Sequence, residues 1–130
     1  MVMNLNLVLY VQLGFLMHLA GDYLFQTSWM ANEKTKSFTP ALIHAFIYSL
    51  AFFFITDLPW WFIIFATHFF IDRYRLAVYW IKLINNGWQS KNYGYPETLP
   101  IWLSTWLLFI VDNTFHLIIN TTCIIFSNWK

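Results

Sequence analysis

The chain has 130 residues, of which 59% are hydrophobic, 22% aromatic and only 10% charged, with a net charge of +1. A soluble domain carries about 25% charged residues, so this composition, with a mean hydropathy of +0.54, excludes an ordinary water-soluble domain and points to an integral membrane protein whose first partner is the lipid bilayer. The near-neutral charge gives nucleic acid no footing, and the single cysteine, Cys123, excludes an intrachain disulfide and reads as a small apolar filler.

The first apolar run, about residues 5–26, is long enough to span a bilayer. No basic segment precedes it and no small-residue cleavage site follows it, so the sequence predicts a retained helix, not a signal peptide. It ends in the polar exit Gln26-Thr27-Ser28-Trp29, with Trp29 suited to an interface. After a hydrophilic loop from Asn32 to Ser37, Pro40 opens a second helix, about 40–56, at a position where proline is tolerated. Asp57-Leu58-Pro59 makes a tight turn, and Trp60 and Trp61 start a third run, about 60–84. From Leu76 onward that run either continues the helix or bends along the membrane surface. Asn85-Asn86-Gly87 is a stop signal, residues 89–98 form a loop, and a fourth run covers about 100–126. The expected fold is all-α: one domain over residues 1–130, an integral membrane bundle of four transmembrane helices.

Six basic residues (Lys34, Lys36, Arg73, Arg75, Lys82 and Lys91) fall in the segments joining spans one to two and three to four, against Lys130 alone on the other side. The positive-inside rule then places both segments in the cytoplasm and both termini outside.

Polar residues inside these runs carry the functional argument. All four histidines and three of the four aspartates lie in the runs or at their ends. Each aspartate at a helix centre costs on the order of 3 kcal/mol, so such groups need partners and mark function. Residues four apart share a helix face. His18 and Asp22 form such a pair, His68 and Asp72 repeat it, Asp112 and His116 repeat it in reverse, and His44 with Tyr48 adds a polar face on the second helix. Reversal of order cancels reversal of helix direction. The three aspartates therefore fall nearer the cytoplasm, with their histidines about one turn, roughly 6 Å, deeper. Asp112 lies far along its run, which requires a tilted helix or one that starts below the membrane surface.

Four imidazoles and three carboxylates on converging helices suit a divalent metal of the zinc, manganese or iron class. Helical bundles build such sites from inward Asp and His at this spacing. The expected ligands are His18, Asp22, His44, His68, Asp72, Asp112 and His116. Seven donors exceed the needs of one tetrahedral ion, so either two ions bind or some aspartates orient the histidines. A single His–Asp pair reads better as a hydrogen bond between helices. Three pairs and a fourth histidine favour metal over glue or a bare proton relay.

The order His18-Leu19-Ala20-Gly21-Asp22-Tyr23-Leu24-Phe25-Gln26, then Trp29-Met30-Ala31 and Lys34, His44 with Tyr48, His68-Phe69-Phe70-Ile71-Asp72, and Asp112 with His116 resembles a family of small bacterial and phage membrane proteins whose domain is of unknown function. That resemblance implies a bacterial inner membrane, and the family label supplies no activity. A looser likeness to membrane-bound metal-dependent hydrolases implies metal and hydrolysis. The resulting expectation is a metal-dependent hydrolase acting from the cytoplasmic side on a lipid-linked phosphate or ester, with Asp22, Asp72 and Asp112 as ligands or general base. Arg73 and Arg75 after Asp72 read as flanking charges or as a phosphate contact. The alternatives are a non-enzymatic membrane subunit or scaffold held by a His–Asp network, and an ion- or proton-conducting protein. Four spans are few for conduction, which would require a homo-oligomer.

Overall fold

The computed structural model describes residues 5–129; Lys130, the lone basic residue counted on the far side, lies outside them. The described residues form six α-helices and no strand: α1 (Leu5–Leu19), α2 (Ser28–Glu33), α3 (Phe38–Leu50), α4 (Leu58–Tyr74), α5 (Leu76–Ile84) and α6 (Ile101–Asn128). α1 runs on into a π-turn, Ala20–Leu24, and α3 into a 3₁₀ turn, Ala51–Phe54.

Two of these stretches, Leu5–Leu24 and Ile101–Asn128, are long and apolar enough to cross a membrane. The other two expected spans are shorter, for local reasons. The second tightens into the 3₁₀ turn and ends by Phe54. The third does not run from 60 to 84, because Arg75 adopts left-handed angles (φ 52°, ψ 49°) that no right-handed helix passes through. The Arg75 guanidinium lies over the Tyr93 ring, 5.4 Å from its centre. Residues 76–84 are therefore a separate helix, which packs its buried Ala77 and Ile81 against Leu108 of α6. A short helix the sequence reading did not anticipate, α2, begins where the Thr27 hydroxyl accepts the Met30 backbone N–H at 3.3 Å, an ordinary N-cap.

α3 packs on α4, α1 on α6, and α4 on α6. The end of the bundle at the α3–α4 turn holds the apolar core: Tyr48, Phe52, Ile55, Ile64, Cys123 and Ile124 are buried together. Cys123 is thus packing material, as read. Hydrogen bonds close this end, with the Asp57 N–H donating to Ser127 Oγ at 2.6 Å and Asn128 Nδ2 donating to the Ile55 carbonyl at 3.0 Å. The outer faces are greasy. Phe46, Phe53, Phe62, Phe70, Trp106 and Phe109 are all exposed, a surface that suits lipid far better than water.

In a bilayer, lipid tails are as apolar as leucine, so helix association rests on close packing and interhelical hydrogen bonds. Gly21 supplies the close packing: a Cβ there would meet the Tyr48 ring at 2.5 Å, so only glycine lets α3 approach the π-turn. Gly21→Ala should therefore lower stability by about 1–3 kcal/mol through overpacking, read as a lower thermal midpoint in detergent.

Candidate metal centre

Polar side chains gather at the other end of the bundle, where the π-turn, α3, α4 and α6 meet under the α2–α3 loop. The π-turn matters first. Its extra residue shows in the Phe25 N–H bonding to the Ala20 carbonyl at 2.9 Å, and π-turns recur at functional sites. With the helix so displaced, Asp22 Oδ2 stands 3.5 Å from His18 Nδ1, while Oδ1 reaches across to His44 Nε2 at 3.2 Å.

His44 Nε2 then has four polar atoms around it: Asp22 Oδ1 at 3.2 Å, Asp72 Oδ2 at 3.1 Å, His68 Nε2 at 3.0 Å and Lys34 Nζ at 3.3 Å. His68 Nε2 lies 3.2 Å from Asp72 Oδ2 and 3.5 Å from Asp22 Oδ1. All of these side chains except Lys34 are buried in the bundle. An imidazole nitrogen makes one hydrogen bond, as donor or as acceptor, so pairwise bonds cannot satisfy this convergence. Asp22 Oδ1 in particular is buried and receives no hydrogen bond. Asp22, His44, His68 and Asp72 can together hold a metal ion, each offering one atom within 4.8 Å of the others.

Asp72 also faces a second group. Its Oδ1 lies 3.2 Å from His116 Nε2, which is 3.5 Å from Asp112 Oδ2. Asp72, Asp112 and His116 are likewise close enough to share an ion. Asp112 is the more open member, with its side chain 28% exposed. The α6 turn before Asp112 carries α5, whose Ala77 and Ile81 pack on Leu108.

His18, the first residue of the sequence motif, stands beside these groups and joins neither. The Asn113 amide is oriented by its Nδ2 donating to the Phe109 carbonyl at 2.6 Å. Asn113 Oδ1 therefore accepts from His18 Nε2 at 2.6 Å, which leaves His18 Nδ1 bare to accept from the Tyr48 hydroxyl at 2.8 Å. That hydroxyl accepts in turn from Asn120 Nδ2 at 2.6 Å. Both His18 nitrogens are committed, and the chain of bonds joins α1, α3 and α6.

Lys34, which in the sequence offers only a topology signal, belongs to this cluster. Its Nζ donates to Asp72 Oδ2 at 2.6 Å. Burial alone would lower the ammonium's pKa, but Asp72 and Asp22 beside it hold it above the ordinary lysine value. A raised lysine pKa gives stability that is complete below the unfolded value and lost only as pH rises through the folded one, so the pair is intact at neutral pH. Arg73 holds this loop in place, donating to the Thr35 carbonyl at 2.7 Å and the Lys36 carbonyl at 3.3 Å. A cavity of about 450 Å³ opens here, lined in part by Lys34, Lys36, Asp72, Arg75 and Asp112. It leads from the loops to the two aspartates.

A family model described as a protein of unknown function (DUF3307) matches residues 9–129. No curated protein and no solved structure matches the chain.

Lys34 occupies space that a cation bound to Asp72 would claim, which gives a testable consequence. Lys34→Met leaves the buried Asp72 without its charge partner and should cost up to about 3 kcal/mol in metal-free protein. Adding a divalent cation should raise the thermal midpoint of this variant more than that of the wild type.

Proposed function

We propose that the chain, which belongs to the DUF3307 family of proteins of unknown function, is a multi-pass membrane protein that binds a divalent cation within its bundle and uses it as a metal-dependent hydrolase. One observation carries the cation: five separations among Asp22 Oδ1, His44 Nε2, His68 Nε2 and Asp72 Oδ2 fall between 3.0 and 3.5 Å. Four donors arranged tetrahedrally about an ion at about 2.1 Å stand about 3.4 Å apart. A central cation also satisfies at once the lone pairs that hydrogen bonds cannot. Nitrogen and oxygen donors of this kind suit zinc, manganese or iron.

Hydrolysis needs an open coordination position. Asp22, His44 and His68 form a three-donor set of the sort catalytic ions use. Asp72, held from outside by His116, would take the fourth position at the cavity, with the Lys34 ammonium displaced from its Oδ2 into the cavity. There it either completes the shell or takes the proton of an incoming water. The ion's contribution would be to acidify that water and polarise the substrate. Lys34, Lys36 and Arg75 around the cavity suit a phosphate, and the greasy outer faces suit a lipid tail. The substrate class is a lipid-linked phosphate or ester entering at the basic loops, on the cytoplasmic face of a bacterial inner membrane.

The bond chain from Asn120 through Tyr48 and His18 to Asn113 favours a second reading, a membrane scaffold in which the polar interior, with or without metal, holds the helices together. Elemental analysis of detergent-purified protein separates the two. The expected result is stoichiometric zinc, manganese or iron that is lost in His44→Ala and in His68→Ala. Folded wild-type protein that stays metal-free after incubation with these ions would sink the proposal. Asp72→Asn should cut hydrolysis of a lipid phosphate by about 10²–10⁴-fold, the usual worth of a positioned base. Loss of the fold on chelation, with no hydrolysis in the loaded protein, would favour the scaffold.

A further inference from the structure

The group formed by Asp72, Asp112 and His116 invites a second ion that shares Asp72 with the first, and a count of protons decides against it. His68 Nδ1 lies 3.2 Å from His116 Nδ1, with both rings buried. Two ring nitrogens in contact share one proton, one donating and the other accepting. His68 binds the proposed ion through Nε2, which must then present a lone pair, so the neutral ring carries its proton on Nδ1. That proton is donated to His116 Nδ1, which must be bare. The neutral His116 ring therefore carries its own proton on Nε2, the atom 3.2 Å from Asp72 Oδ1 and 3.5 Å from Asp112 Oδ2. It donates to the carboxylates and has no lone pair for a metal. Filling both groups at once would set two N–H protons against each other or demand a buried imidazolate.

We infer that the bundle binds one cation, and that His116 is a positioning residue which fixes the tautomer of His68 and turns the Oδ2 side of Asp72 to the ion. The inference rests on the metal reading proposed above. One residue thus steadies a ligand and a carboxylate together, as the outer partners of metal-bound histidines do. Asp112 serves as a further acceptor for the same N–H, at the edge of the cavity.

Two measurements test this. In zinc-loaded protein with ¹⁵N-labelled histidine, ring-nitrogen NMR should show His116 protonated at Nε2 and bare at Nδ1, and His68 protonated at Nδ1. The second is zinc stoichiometry across variants. Wild type should bind one equivalent. His116→Gln, whose carboxamide also offers one acceptor and one donor, should keep that equivalent near wild-type affinity. His116→Leu, which offers neither, should bind about 10- to 100-fold more weakly. Two equivalents in the wild type, with one lost in both variants, would overturn the single-ion inference and leave the first site standing. A metal-bound His116 Nε2 in the NMR spectrum would do the same. No zinc in folded wild-type protein would overturn both.

Discussion

A carboxylate taken out of water must find opposite charge or hydrogen bonds for both of its oxygens, or its burial costs several kcal/mol. Asp72 meets that demand by gathering the architecture around itself. One oxygen takes the Lys34 ammonium from the loop, and the imidazoles of α3 and α4 stand against it. The other takes His116 from α6. Helices that share only apolar faces could slide or rotate past one another in lipid at little cost, since tails replace leucines without penalty. Helices that share Asp72 cannot, because each has to deliver one atom to a fixed point.

The same demand explains what lies around the centre. Tyr48 stacks flat on His68, with ring centres 3.6 Å apart, so the His68 ring is held on its face while His116 holds its edge. The loop carrying Lys34 is tied down by Arg73, the residue directly after Asp72 on α4. One helix end therefore sets both the anion and the cation that answers it. Rigidity here is a matter of bonds in directions that do not repeat one another.

Much of the site was legible in the sequence. Charged residues are scarce in this chain, so those within apolar runs stand out, and the four-residue spacing of His68 with Asp72 and of Asp112 with His116 already gave helices with one polar face. All-helical architecture followed from the same runs. Other features could not be read. The left-handed residue at Arg75 leaves no mark, because arginine has no preference for it; the expected third helix ran straight through. Lys34 sits in a plainly hydrophilic loop, and only folding brings it onto Asp72. Asn113, next to Asp112 in sequence but about 100° away around the helix, gave no sign that it would bond His18. The opening motif puts His18 and Asp22 on one face, and they do stand together, Nδ1 to Oδ2 at 3.5 Å; what the helical wheel could not show is that Asp22 also reaches His44 and that Tyr48 and Asn113 bond both nitrogens of His18.

That π-turn has a consequence for how such a chain can tolerate change in length. A π-turn holds one more residue than the α-turn it replaces, so the stretch Ala20–Leu24 behaves as an insertion already absorbed by the helix. Removing one residue there would restore regular α-helix and keep Gly14 and His18 facing α6, because the surplus lies between them and the loop. Removing one residue anywhere earlier in α1 would instead turn the preceding face by about 100° and strip it of its partners. The first helix therefore has one position at which its length is adjustable, and the residue whose aim would be lost there is Asp22.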